Sequence, residues 1–182
     1  YIDQSGADIF VSQSGVRNMH MASSWLAASA QADVESVSGV ELVTPILYIT
    51  NMIVIGDERN LAYIIGLPED AKAGGAWKVT AGRGQPEPGE TVIDRGVAEK
   101  SGAALGDEVE ILGRKFDIVG LSEGTASLVN SVAFISMVDF AALRGTPGSV
   151  SFLLVKVKPG DSAEAIAARI ESEVDDVTAQ ST

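Results

Sequence analysis

The two ends of this chain carry the same local pattern. Ala7-Asp-Ile-Phe-Val-Ser12 reads as a strand, and after Gly15 the pattern changes. From about Ser23 to Ser38 the chain is rich in Ala, with Trp25, Leu26, Ala30, Val34 and Val37 near helical spacing. Ser23 or Ser24 is placed to cap that helix and Gly39 to end it. Val40-Glu-Leu-Val-Thr44 then reads as a strand. At the far end Ser151-Phe-Leu-Leu-Val-Lys-Val157 is a strand and Pro159-Gly160 a turn. Asp161 and Glu164 have capping-box spacing, and Ile166, Ile170 and Val174 share one helical face. Asp175 to Ala179 begins a last strand. Two strand–helix–strand units predict an α+β fold: a ferredoxin-like, split βαβ sheet with its helices on one face.

Between the two units the chain changes character. Val40 to Thr44, Ile46 to Ile55 and Leu61 to Leu67 are β-branched or apolar runs split by Pro45 and by the polar turn Gly56-Asp-Glu-Arg-Asn60, which predicts a hairpin. Pro68 to Gly89 is Gly- and Pro-rich and marks a boundary at which a second unit is inserted. Within the insert Thr91 to Asp94 reads as a strand and Gly96 to Ser101 as a helix. Glu108 to Leu112 and Lys115 to Val119 read as a hairpin that turns Val109, Ile111, Phe116 and Ile118 to one side. The expected division is residues 1–68 and 149–182 for the main lobe and 69–148 for a small β-rich lobe.

Composition narrows the chemistry. Of 182 residues 46% are apolar, enough for a core. Lys plus Arg number 13 against 25 for Asp plus Glu, a formal charge of −12 that repels polyanions and argues against nucleic acid as a partner. With no cysteine and one histidine, His20, neither a disulfide framework nor a Cys/His zinc site can be assembled. A membrane span needs about 18 continuous apolar residues. Ile46 to Ile55 is broken by Thr50 and Asn51, and Leu128 to Leu143 by Asn130 and Asp139, so the chain is expected to be soluble as given. It opens on Tyr1, with no secretory leader visible, and reads as a piece of a longer protein.

Candidate sites are few. Gly120-Leu-Ser122-Glu-Gly124 matches the G-x-S-x-G of a nucleophile elbow, but the base histidine should follow the serine, and His20 lies about a hundred residues before it. A secreted serine hydrolase using Ser122 is therefore only an alternative reading, as is a ferredoxin-like ligand-sensing module. His20 between Met19 and Met21 reads as a loop histidine, since no second imidazole or thiolate exists to complete a copper site. Asp57-Glu58 and Glu171 to Asp176 lack calcium-loop spacing and read as solvated charge. No phosphate-binding glycine motif is present, so neither ATP nor any other cofactor is expected to bind. Met19, Met21 and Trp25 form an adaptable apolar segment, which core packing would also explain.

The order of these pieces resembles a known family. Ala-Asp-Ile-Phe-Val at the opening, Ser38-Gly-Val-Glu41, Pro88-Gly-Glu-Thr-Val-Ile-Asp94, Leu105-Gly-Asp-Glu-Val109 and Arg114-Lys-Phe-Asp-Ile-Val-Gly120 occur in the order of the MacB-like periplasmic core domain of ABC transporter permeases, the FtsX-like class. Val132-Ala-Phe-Ile135, Val138 to Leu143 and Phe152 to Lys158 continue it, and Gly120 to Phe140 resembles the DevC-type exporter subunits. The resemblance implies a domain outside the cytoplasmic membrane, between two transmembrane helices, with a porter lobe (1–68 and 149–182) and an inserted sabre lobe (69–148). It implies no bond chemistry, and an ATPase on a separate chain or domain whose motion this domain converts into opening and closing against its twin and an adaptor protein. Both termini should then lie together at the membrane side. Best candidates for partner or substrate contact are the Met19, Met21 and Trp25 segment near the porter cleft and the loop with Trp77 and Arg83.

Overall fold

A computed structural model describes residues 1–19, 23–126 and 131–182. After a 3-10 turn at Ile2–Gln4, the elements in chain order are β1 (Ile9–Gln13), β2 (Leu26–Ala27), α1 (Ser29–Glu35), β3 (Val40–Ile55), β4 (Glu58–Leu67), β5 (Val79–Gly82) and β6 (Glu90–Asp94). Then follow α2 (Arg95–Lys100), β7 (Glu108–Ile111), β8 (Arg114–Ser122), β9 (Ser131–Ser136), α3 (Met137–Arg144), β10 (Ser149–Val150), β11 (Phe152–Val157), α4 (Ala163–Glu173) and β12 (Val177–Ser181). They group into two compact units. Unit 1 holds residues 1–46, 72–74 and 146–182, and unit 2 holds 47–71 and 75–145.

In unit 1 the strands lie in the order β12-β1-β11-β3, with antiparallel neighbours throughout. α1 joins β1 to β3 and α4 joins β11 to β12, which is the ferredoxin-like split βαβ arrangement. Alternation along the strands explains the burial. Ile9, Val11, Leu153 and Val155 share one core with Val34 of α1 and Ile166 and Ile170 of α4. The opposite face is buried as well: Phe10 and Phe152 stack with ring centres 4.6 Å apart, and Leu154 is fully buried. Tyr1 and Gly74 cover it, the Tyr1 hydroxyl donating to the Gly74 carbonyl at 2.7 Å. A Cβ on Gly74 would lie 2.6 Å from Leu154 Cδ1, so only glycine lets this backbone lie flat there. A strand buried on both faces has no polar side to show, which is why Phe152 to Val155 is unbroken apolar sequence.

Unit 2 is built on a closed ring of pairings. β3, from Leu47 onward, pairs with β4, β4 with β9, β9 with β6, β6 with β8, β8 with β7, and β7 returns to β3 through Ile53↔Ile111 and Val54↔Glu110. Closure removes free edges and encloses a core of its own, in which Ile53, Ile64, Ile111, Phe116 and Ile135 are buried. Phe116 and Ile118 do face the same side as Val109 and Ile111, all four being buried. β5 adds to the ring by pairing with β8.

Several elements differ from the sequence reading. The helix expected over 23–38 is confined to Ser29–Glu35. Ser24 does not cap it; the Ser24 hydroxyl accepts from Gln13 N at 2.8 Å and Trp25 N donates to Gln13 Oε1, which keeps these residues extended and lets Leu26–Ala27 pair with Ser149–Val150. The second helix is capped one residue later than expected, Ser162 Oγ accepting from Ala165 N. Pro45 does not interrupt β3: it lies outside the β3–β4 ladder, which starts at Leu47, and pairs in register with Leu153. β5 arises inside the stretch read as loop. Residues 47–68, expected in the main lobe, fall in unit 2 because the ring needs the β3–β4 hairpin to close.

β5 and the chain after it approach β8 so closely that Gly120 admits no side chain: a Cβ there would sit 1.8 Å from the Arg83 carbonyl oxygen. Gly120→Ala is therefore expected to cost about 3 kcal/mol, whereas at Gly75, where a Cβ would meet nothing nearer than Leu67 at 3.9 Å, alanine should be nearly neutral. Urea unfolding of the two variants checks the difference.

Candidate functional site

Strand order in unit 1 brings the two chain ends together. β1 and β12 are antiparallel neighbours, with Ile9 opposite Ser181. Thr182 N donates to the Asp8 carbonyl at 3.0 Å and the Thr182 hydroxyl to Ala7 at 2.9 Å. Asp8 also anchors the next strand, accepting from Val157 N at 3.0 Å and Lys156 Nζ at 3.2 Å. On the far side of β12, Glu171 of α4 accepts from Ala179 N at 3.0 Å, which occupies an edge amide that could otherwise recruit another strand.

A cleft of about 810 Å³ opens in unit 1 beside α1 and the start of β12. Trp25 stands on its wall with 66% of its surface exposed, and Asp33, Glu173, Asp175 and Asp176 line it. Met19, expected beside Trp25 as a contact residue, is buried. Met21 and His20 lie outside the described residues.

Unit 2 carries a second groove of about 750 Å³, walled by the 68–70 loop, the 83–88 loop and the start of α3. Arg83 lines it, and Arg83 Nη2 meets Glu90 Oε1 at 2.6 Å. Partial burial works to raise the Glu90 carboxyl, but the Glu87 N–H and the Arg83 guanidinium outweigh it and hold Glu90 below the usual glutamate range. Trp77 does not join this groove: half-buried, its ring stands edge-on to Phe134 with centres 6.4 Å apart. Thus the structure brings Trp25 and Arg83 to concave surfaces, each in its own unit, and packs Met19 and Trp77 inward.

Ser122 is fully buried. Its hydroxyl donates to the Ile93 carbonyl at 3.3 Å and lies 2.6 Å from Thr125 Oγ1, which in turn donates to Asp94 Oδ2 at 2.7 Å. The other Asp94 oxygen caps α2 by accepting from Gly96 N and Val97 N. This network uses the serine and the aspartate to hold β6, β8 and the α2 start together, and it offers no imidazole for activating the hydroxyl. Among the described residues no cluster of three or more potential metal ligands occurs, and no helix is long and apolar enough to cross a membrane.

A sequence profile of the MacB-like periplasmic core domain matches residues 1–173. The chain belongs to this family. MacB-like domains are parts of ABC transporter permeases that work with an ATPase, so this chain is a periplasmic or extracellular domain of such a permease. Two solved structures share the MacB-like fold. The periplasmic region of MacB from Actinobacillus actinomycetemcomitans superposes with a TM-score of 0.69 at 16% identity, covering 99% of this chain and 91% of that one. The extracellular domain of the noncanonic ABC-type transporter YknZ from Gram-positive bacteria also gives 0.69, at 14% identity, covering 94% and 98%. Comparison with curated proteins finds no match.

The Arg83–Glu90 pair yields a pH prediction. A carboxylate held low in the folded state stabilises above its unfolded value, near 4.3, and that contribution is lost as the pH falls through the folded value. Carboxyl ¹³C NMR should place the Glu90 titration below the usual glutamate range, and Arg83→Gln should move it upward by a measurable step.

Proposed function

We propose that this domain couples ATP-driven motion in the cytoplasm to the export of a substrate by an ABC transporter at the inner membrane. In this reading unit 1 and unit 2 correspond to the porter and sabre lobes, and two copies open and close against each other and an adaptor protein. The observation that carries the reading is the adjacency of the chain ends: strands β1 and β12 are neighbours, and Thr182 hydrogen-bonds Ala7 and Asp8. A domain entered and left at one edge of one sheet is suited to hang from two membrane helices and to take up their displacement through that sheet. Trp25 in its cleft and Arg83 in its groove are the proposed contact points, because both stand on concave surfaces.

Two measurements test this. The parent reading frame should carry an apolar stretch of about 20 residues on each side of the chain; a frame without them would contradict the proposal. In the full permease, with its ATPase and in lipid nanodiscs, spin labels on cysteines replacing the exposed Ser38 should report an inter-copy distance that changes on ATP binding. An unchanged distance in the ATP-bound transporter, or the absence of any inter-copy coupling, would overturn it.

A further inference from the structure

The groove of unit 2 has an apolar floor and an acidic rim. Val138, in the first turn of α3, is 69% exposed, the most exposed large apolar side chain described in the chain. Together with Met137, Leu67 and the rings of Pro68, Pro86 and Pro88 it lines the groove. Glu69, Asp70 and Glu87 stand exposed around it. Arg83 is the one cation among the described lining residues, and Glu90 takes up its charge at 2.6 Å.

The walls are fixed before anything binds. Gln85 Nε2 donates to the Pro68 carbonyl at 2.9 Å and so ties the two loops together. Asp139, buried in α3, accepts from Gly89 N at 2.7 Å and from Arg114 Nη1 at 2.9 Å, which ties the helix to the end of the 83–88 loop. Two prolines, Pro86 and Pro88, and the Arg83 carbonyl pressed on Gly120 leave the 83–88 loop little freedom. A preformed apolar surface binds with little ordering cost, and an exposed valine in its lining is a contact waiting for a partner atom.

We propose that this groove docks a short segment of a partner protein in which apolar side chains are flanked by lysine or arginine. Charge selects this occupant. A second copy of the chain carries −12 and would bring acid to an acidic rim. An anionic lipid surface is repelled by the same carboxylates. A basic segment instead meets Glu69, Asp70 and Glu87 while its apolar residues cover Val138 and the prolines. The inference goes beyond the transport reading and does not depend on it, because it concerns this chain alone.

The test uses the 182-residue chain and a fluorescein-labelled twelve-residue peptide of alternating Leu-Leu and Lys-Lys pairs, with a Leu/Glu peptide of the same pattern as control. Fluorescence anisotropy should show saturable binding of the Leu/Lys peptide only. Val138→Asn, an exposed change not expected to disturb folding, and the pair Glu69→Lys with Asp70→Lys should each weaken it at least fivefold. The pair Asp33→Lys with Asp175→Lys, which alters net charge equally in unit 1, should change it less than twofold. Amide shifts in ¹⁵N NMR should concentrate at residues 69–70, 83–85, 87 and 136–138, and circular dichroism melts report that the variants stay folded. Equal loss with both charge pairs and none with Val138→Asn would reduce the binding to non-specific attraction and overturn the proposal. So would Val138-dependent self-association in sedimentation, or Val138-dependent binding to phosphatidylglycerol vesicles.

Discussion

Pairing of the first strand with the last is the constraint on which the rest of unit 1 depends. β1 is held on one side by β11 and on the other by β12, so five ladder positions from Ile9↔Ser181 to Gln13↔Val177 decide where the chain enters and leaves. The helices follow from that order. α1 and α4 each bridge strands that are not neighbours in the sheet, and both lay their apolar faces on Ile9, Val11, Leu153 and Val155. On the other face, where Phe10 and Phe152 stack, Gly74 lies against Leu154 and accepts from the Tyr1 hydroxyl, so the segment before β1 is itself part of the packed structure. Burial pushes the Tyr1 hydroxyl well above the ordinary tyrosine range, so it stays a donor even at alkaline pH where an exposed tyrosine would ionise.

Unit 2 solves a different problem. A small β-rich insert would expose edges on which other chains could pair, and returning β7 to β3 leaves no free edge among the strands of the ring. Short helices and polar side chains complete it. Asp94 caps α2 and reaches Thr125 and, through it, Ser122; Asp139 reaches Gly89 and Arg114. These buried carboxylates are satisfied by backbone N–H groups, hydroxyls and one guanidinium, the arrangement expected of structural rather than reacting groups. What the ring leaves outward is the groove beside α3, whose rigidity comes from the same ties.

Legibility in the sequence followed the range of the interactions. The two strand–helix–strand units could be read because their signals are local: Ile166 and Ile170 four apart, and the apolar run Phe152 to Val155. The hairpin of β7 and β8 was readable for the same reason, and its inward residues match. Failures began where a side chain reached across the fold. Ser24 has the composition of a helix cap, but Gln13 claims it from eleven residues away, and the helix starts later. Ring closure rests on Ile53 meeting Ile111, a pairing of distant segments that no periodicity announces, and so the hairpin of residues 47–67 was assigned to the other lobe. The elbow-like Gly120-Leu-Ser122-Glu-Gly124 is explained by packing, since Gly120 admits the Arg83 carbonyl and Ser122 is locked against Ile93 and Thr125. Residue type and neighbouring sequence mark Trp25 and Arg83; that both stand on concave walls follows from loops that sequence alone does not place.

Because unit 2 is inserted within unit 1, a displacement applied at the chain ends must pass through β1 and β12 before it reaches the ring. Optical-tweezers pulling on handles attached at Tyr1 and Thr182 tests this most directly. Unit 1 should open first, with a length release matching its own residues, followed by a separate opening of unit 2 at 47–71 and 75–145. A first release that matches unit 2, with the β1–β12 ladder still closed, would contradict the idea that the ends are held by unit 1.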